Sequence, residues 1–453
     1  MNQQASYFTP YPTHPPSGLR LLATLLRNPI EAWTQEHFEQ AVVAAKTPFG
    51  SRLIVSAPNL IRHILVDNCT NYTRDPVQKR ILTRTTGCSI FMSSGETWRD
   101  QRRAMAPFFS PKALRGYLPE MHGAADRFAS RLAARDGAQV CVHEEMAIIT
   151  VNTVARNLFP HGLGGESPET VAASVQRLAV RMGLIRLGDL LNLPTWLPGP
   201  ASLAGFPAAT GVRRRSTKMV SQARQATSIA DPPTITAALL EQIDKADQSD
   251  SSIRQVEDNI ATLLGAGTDT TASALTWAVV LLAEAPEAHA HVQQEALRFA
   301  GNRNEVDQLV WTRAVIQEAM RLFPPAPVIG RMALKDDAFG DVHIPEGSEI
   351  LIAPWVVHRH RLLWQEPDAF KPERFLDENR GAVPRFGYLP FGAGPRICIG
   401  AQYAMQQMII VLSRLCATLR LENIADEILK LQQYITLQPA GRYRMTVRAV
   451  HGD

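Results

Sequence analysis

The 453-residue chain is short of the features that mark several common classes of protein. It has five cysteines, Cys69, Cys88, Cys141, Cys398 and Cys416, odd in number and scattered. None forms a Cys-x-x-Cys pair, which argues against a disulfide framework or a zinc site and fits a reducing cytosol. Charge of one sign is also scarce: 47 Lys and Arg against 43 Asp and Glu leave a formal net charge of +4. Without a long basic run, no nucleic-acid partner is expected. The stretch from Met1 to Pro10 has neither the basic start nor the apolar run of a signal peptide or membrane span, so a cytoplasmic protein without a membrane anchor is expected. No internal repeat or low-complexity segment is evident.

What the chain does have is helical periodicity, with prolines and glycines marking its interruptions. Pro10, Pro12, Pro15 and Pro16 make residues 1–20 an expected extended arm. Ser51 to Ser56 reads as a short strand, with Pro58 opening a helix. Residues 74–97 read as loop-rich, ending in Ser89-Ile90-Phe91-Met92-Ser93, where local sequence favours a buried plug. Arg213-Arg214-Arg215 reads as solvated surface. A long helix is expected from about Ser252 to Ala285, ended by Pro286. In its middle lies Ala266-Gly267-Thr268-Asp269-Thr270-Thr271, poor helix-forming material in an apolar context. Such a broken rule marks either a functional site or a threonine-rich bend. Gly267 leaves room for a close approach, Thr270 offers a hydroxyl and Asp269 a proton source.

One further stretch concentrates the chemistry: Phe391-Gly392-Ala393-Gly394-Pro395-Arg396-Ile397-Cys398-Ile399-Gly400, just before an apolar helix pattern over 401–419. A lone buried cysteine is usually a small core hydrophobe. Here glycines allow a tight loop, and loop amides together with a helix N-terminus are expected to favour the thiolate, a ligand for haem iron. Val315 to Pro325 reads as a helix ended by prolines, with Glu318 and Arg321 on one face. His358 and His360 could suggest a metal pair but are read as structural, since no third ligand is near in sequence.

The pattern Phe-x-x-Gly-x-Arg-x-Cys-x-Gly, matched at Phe391, Gly394, Arg396, Cys398 and Gly400, resembles the haem-binding signature of the cytochrome P450 family. Three further motifs in matching order strengthen the resemblance: Trp98-x-x-x-Arg102, Ala266-Gly267-x-Asp269-Thr270, and Glu318-x-x-Arg321 followed by Pro372-Glu373-Arg374-Phe375. The resemblance implies a mainly α fold with a small β-rich part, in which residues 21–453 form a single large domain enclosing haem b. It implies Cys398 as axial ligand of the haem iron, and Trp98, Arg102, Arg331, Phe391, Gly392, Arg396 and Gly400 as cofactor-binding residues. Asp269 and Thr270 become an acid–alcohol pair that feeds protons to dioxygen chemistry. Ile90, Phe91, Ala266 and Val328 face the substrate, while Glu318, Arg321 and Arg374 are structural. Residues 188–206, rich in proline and apolar groups, resemble the family's lid region; they either guard an entrance or pack down. Gln407 stands where the family often has glutamate, and Met320 where leucine is more usual.

The expected activity is monooxygenation of an apolar small molecule by a monomer. Electrons would come from a ferredoxin or flavodoxin with its reductase, docking near Arg99, Arg103 and Lys112. The alternative class is a non-oxygenating haem-thiolate protein, an isomerase-like relative or a ligand sensor.

Overall fold

A computed structural model describes residues 11–14, 18–47, 50–159, 162–183, 200–225, 234–244, 250–299, 306–424 and 429–450. Most of the expected N-terminal arm lies outside these residues. So does the lid-like stretch as far as residue 199.

The helices are α1 (Leu19–Arg27), α2 (Gln35–Glu39), α3 (Pro58–Arg62), α4 (Pro76–Thr86), α5 (Gly95–Met105), α6 (Pro111–Ala133), α7 (Val142–Leu158), α8 (Pro168–Gly183), α9 (Pro200–Gln225), α10 (Ile235–Asp244), α11 (Asp250–Ala283), α12 (Pro286–Phe299), α13 (Val310–Leu322), α14 (Pro354–Val357) and α15 (Ala401–Thr418). At 34 residues α11 is the longest of them, and it packs against α7, α9, α13 and α15. Its second half is buried all round, with Ala272, Leu275, Trp277, Ala278 and Val280 sealed from water. Of the threonines expected to weaken it, Thr270 donates its hydroxyl to the Ala266 carbonyl at 2.6 Å, and outside that cluster Thr262 and Thr276 donate in the same way to Asp258 and Ala272, at 2.7 Å each. Among the described residues, no helix is long and apolar enough to cross a membrane.

The β part is small. β1 (Val42–Thr47), β2 (Gly50–Val55) and β3 (Tyr72–Arg74) come early in the chain, and β4 (Gln139–Cys141) precedes α7. β5 (Ile329–Ala333), β6 (Asp337–Phe339), β7 (Val342–Ile344) and β8 (Glu349–Ile352) follow α13. β9 (Leu419–Asn423), β10 (Leu431–Gln433), β11 (Leu437–Pro439) and β12 (Arg444–Ala449) end the chain. The largest sheet has the order β1-β2-β8-β5-β3. Its alternating residues Leu53, Val55, Ile350 and Ile352 form a second core with Leu60, Ile61 and Ile64. Its antiparallel edge brings Arg74 opposite Arg331.

Two sequence expectations are corrected. Residues 74–97 are not chiefly loop: α4 occupies 76–86, with the Asp75 carboxylate accepting from the Gln78 amide at 2.9 Å and Pro76 in the first turn. The Asp-Pro start was a helix signal that a search for apolar periodicity passes over. Nor is Arg215 solvated. It is 5% exposed, and its guanidinium meets Glu166 at 2.5 Å and the Ser174 hydroxyl at 3.4 Å, whereas its neighbour Arg213 reaches Asp258 at 3.1 Å. Arg213 and Arg215 thus diverge around the helix to different partners, while Arg214 between them is exposed.

Candidate functional site

The loop before α15 is set by its own backbone. The Cys398 amide donates to the Phe391 carbonyl at 3.0 Å, closing residues 391–398 into a tight turn. Gly394 has φ 72°, and a Cβ there would lie 1.9 Å from the Leu65 carbonyl oxygen. The glycine is therefore needed for the close approach of a backbone from the first part of the chain, not only of a ligand. Gly392 also has φ 72° but meets only Ile329 Cδ1, at 3.9 Å. Phe391 packs against the main core, and Gly400 sits just before the first turn of α15. The Cys398 side chain is exposed. The surrounding protein opposes the thiolate, while the Gly400 amide and the Arg102 guanidinium favour it, as expected of the loop. A cation at sulfur would have to supply the remainder.

Beside this loop several guanidinium groups converge. Arg396 stacks over the Trp98 ring at 4.3 Å, and Arg102 lies 5.8 Å from the same ring while donating to the Ile397 carbonyl at 3.1 Å. Arg331 donates at 2.8 Å to the carbonyl of its own neighbour, Gly330. Arg74, its cross-strand partner, lies over the Phe91 ring at 4.5 Å. Burial, then repulsion from Arg331 and Arg396, pushes Arg74 down to about 9. Burial, then Arg331 and Arg102, pushes Arg396 down to about 10. Buried Arg74 Nε and Arg396 Nη1 have no hydrogen-bond partner, and no described carboxylate pairs with any of the four arginines. Like charges facing each other across strands are destabilising. The arrangement fits a dianion such as the two propionates of haem b.

The middle of α11 offers a different surface. Ala266 is exposed although it lies mid-helix, whereas Thr268 and Asp269 beside it are buried. The Thr270 hydroxyl, committed to the Ala266 carbonyl at 2.6 Å, keeps its lone pairs free to accept. Gly267 is not an opening for a ligand: a Cβ there would face Val154 of α7 at 4.0 Å. Asp269 points away into the protein, where Oδ2 accepts from Thr436 at 2.6 Å and Oδ1 from Gln438 at 2.8 Å. Burial pushes its carboxyl up to about 6 despite both bonds. Ile90 donates its amide to Asn259 Oδ1 at 2.7 Å, fixing the candidate substrate loop to α11, and Phe91 is 38% exposed. Val328 lies half-buried just before β5, its carbonyl accepting from Gln78 at 3.3 Å.

Glu318 and Arg321, both sealed from solvent, make two parallel bonds of 2.7 Å. Arg374 approaches Glu318 at 3.5 Å, and Arg321 also donates to the carbonyls of His358, Pro367 and Ala369 at 2.8, 2.6 and 2.9 Å. His358 accepts from the Leu389 amide at 2.7 Å, and His360 Nε2 meets the Gln40 carbonyl at 3.0 Å. Among the described residues, no three His, Cys, Asp or Glu side chains gather as for a metal ion.

Sequence reasoning missed Arg74, Thr436 and Gln438. Thr436 and Gln438 lie in the C-terminal hairpin, more than 160 residues from the acid they bond. Arg74 carried no signal beyond the strand that pairs it with Arg331.

Comparison with known proteins agrees with this geometry. The family model for cytochrome P450 matches residues 35–447. A cyclooctatin synthase of Streptomyces melanosporofaciens is 30% identical over 394 residues, covering 86% of this chain and 84% of that protein. A carotene epsilon-monooxygenase of Arabidopsis thaliana is 26% identical over 460 residues, covering 94% and 83%. The crystal structure of a cytochrome P450, CYP102L1, superposes with a TM-score of 0.77 at 22% identity, covering 92% of this chain and 96% of that one, a likeness of fold. With its mainly helical fold and its guanidinium cluster beside a cysteine loop, the chain belongs to the cytochrome P450 family of monooxygenases, whose cofactor is haem b.

Proposed function

We propose that the chain inserts one atom of dioxygen into an apolar small molecule, the other atom leaving as water, with two electrons from a separate ferredoxin or flavodoxin and two protons from solvent. The observation that carries this reading is the convergence of Arg74, Arg102, Arg331 and Arg396 on the Cys398 loop without a described carboxylate to answer them. Haem b bound there supplies the iron chemistry that activates dioxygen.

The chain's own residues divide the remaining work. Cys398 would give its sulfur to the iron, with the Gly400 amide and Arg102 supporting the thiolate. Arg74, Arg102, Arg331 and Arg396 hold the propionates, with Trp98 as the plate on which two of them rest. Phe391, Gly392 and Gly400 shape the loop. Ile90, Phe91, Ala266 and Val328 would present apolar groups to the substrate, with Phe91 beneath the Arg74 guanidinium. Thr270 orients protons through its free lone pairs, and Asp269 holds the proton to be delivered. Glu318, Arg321 and Arg374 fix the segments that carry the loop. An apolar substrate is in keeping with the relative named a carotene epsilon-monooxygenase. The electron donor docks on the basic side of α5, where Arg103 is 77% exposed though paired with Asp100 at 3.2 Å.

The test is optical. The reduced carbon monoxide complex is expected to show the thiolate-type spectrum, and Cys398→Ser is expected to lose it. Titrating the ferric protein with fatty acids, terpenoids, steroids and aromatics is expected to give a low-to-high-spin shift with one class. A carbon monoxide spectrum without the thiolate signature would remove Cys398 as ligand and the reading with it.

A further inference from the structure

Asp269 has a third neighbour besides Thr436 and Gln438. His143, at the start of α7, places Nε2 3.9 Å from Asp269 Oδ1, about one ångström beyond a hydrogen bond. The tautomer of this ring follows from its other side. The Thr276 hydroxyl proton is committed to the Ala272 carbonyl at 2.7 Å, so the 3.2 Å contact between Thr276 Oγ1 and His143 Nδ1 requires Nδ1 to be the donor. The neutral ring then turns the Nε2 lone pair toward a carboxylate oxygen, and Nε2, sealed from solvent, has no hydrogen-bond partner. Two lone pairs facing each other repel, whereas a proton on Oδ1 turns the contact attractive.

We propose that His143 is a positioning residue for proton delivery: its Nε2 lone pair, facing the Asp269 carboxyl at 3.9 Å, favours the protonated acid and so keeps a proton stored on it. The inference rests on the reading above, in which Asp269 is the acid that serves dioxygen chemistry. Storage breaks no bond and moves no electron; one proton arrives from solvent onto Oδ1 and the same proton later leaves toward Thr270.

The surroundings favour this assignment. Burial pushes the imidazole down to about 4 and the carboxyl up to about 6, so a single shared proton rests on Asp269. The groups facing the pair are neutral: Thr436 and Gln438 from the C-terminal hairpin, Thr276 from α11, and Gln176 of α8, which donates to the His143 carbonyl at 3.3 Å. The adjacent acids on α7 face elsewhere, Glu144 to Arg442, and Glu145 to Arg131 and Arg135.

The experiment follows the Asp269 carboxylic-acid infrared band in the haem-loaded protein, identified by its loss in Asp269→Asn, as a function of pH. In His143→Phe, the acid proton loses the facing lone pair, and the midpoint is expected to fall by about one pH unit or more. His143→Gln, which retains an acceptor oxygen but cannot titrate, is expected to stay near wild type. The share of reducing equivalents lost as peroxide above pH 7 should rise several-fold in His143→Phe and be restored in His143→Gln. An unchanged midpoint in His143→Phe overturns the inference, as does a His143→Gln variant that behaves like His143→Phe. If Asp269→Asn itself leaves coupling unchanged, the proposed role of Asp269 fails instead, while the infrared midpoint still decides the contact.

Discussion

At the scale of single residues, the charged groups that burial disfavours are the informative ones. Asp269 is the clearest case, because its two hydrogen bonds do not outweigh its desolvation. Its ordinary value of 3.8 lies below its folded value of about 6, so the stabilising neutral form is fully present below about pH 4 and is lost as pH rises to 6. Relative to Asp269→Asn, the wild type should therefore lose up to about 3 kcal/mol of stability across that window. Denaturant unfolding from pH 4 to 7 measures the slope. The amide that Asn turns toward Gln438 adds a constant offset and leaves the slope alone. Arg74 makes the opposite kind of prediction in two states of the protein. Arg74→Leu relieves repulsion against Arg331, so the haem-free protein should be no less stable. The haem-loaded protein should lose haem roughly 10- to 100-fold faster, as expected for one charge-assisted hydrogen bond. Transfer of haem to a scavenger globin reads the rate. A haem-free protein that is clearly destabilised would instead make Arg74 a structural residue.

At the scale of elements, the question is what each loop and helix must touch. Gly394 lies against the Leu65 carbonyl, at the turn that follows α3, so Gly394→Ala adds a backbone overlap to a left-handed φ. The φ alone costs about 1–2 kcal/mol, and displacement of the Cys398 loop should show as reduced haem content. Gly267→Ala is the contrasting case, since its Cβ would meet Val154 only at 4.0 Å. It should be tolerated and raise helix stability by up to about 1 kcal/mol, measured by thermal unfolding. The same contrast shows what was legible beforehand. The Cys398 loop and the cluster in α11 could be found because their chemistry is contiguous in sequence. The reason for Gly394 could not, because its partner comes from a turn more than 300 residues away. The start of α4 was written in Asp75-Pro76 but carried no apolar periodicity. Arg215 looked solvated because a run of three arginines says nothing about where each points around a helix.

At the scale of the whole molecule, α13 is tied to the long irregular segment that leads to the cysteine loop. Arg321 joins Glu318 to the carbonyls of His358, Pro367 and Ala369, and Glu318 also accepts from the Lys371 amide at 2.8 Å. Glu318→Gln leaves a buried guanidinium without its full counter-charge and should cost about 3–5 kcal/mol, read by denaturant unfolding. Replacing both partners, as Glu318→Leu with Arg321→Met, often rescues a buried ion pair. Here it should recover little, because three carbonyls lose their donor. A double variant as stable as wild type would show that this cluster does not hold the segment.

The C-terminal hairpin completes the interior of α11. The Leu437 carbonyl accepts from Ser273 at 2.6 Å and from Trp277 at 2.9 Å, next to the bonds from Thr436 and Gln438 to Asp269. During synthesis these partners are separated by 164 residues. At ribosomal rates of roughly 5–20 residues per second, the polar groups of the central helix wait roughly 10 to 30 seconds for the strand that satisfies them. The nascent chain thus reaches Thr436 with its central helix still unfinished. A stop codon just before Thr436 would strand that helix, with an acid, a hydroxyl and an indole unanswered in the core, and hand the cell's quality control a chain whose interior cannot close.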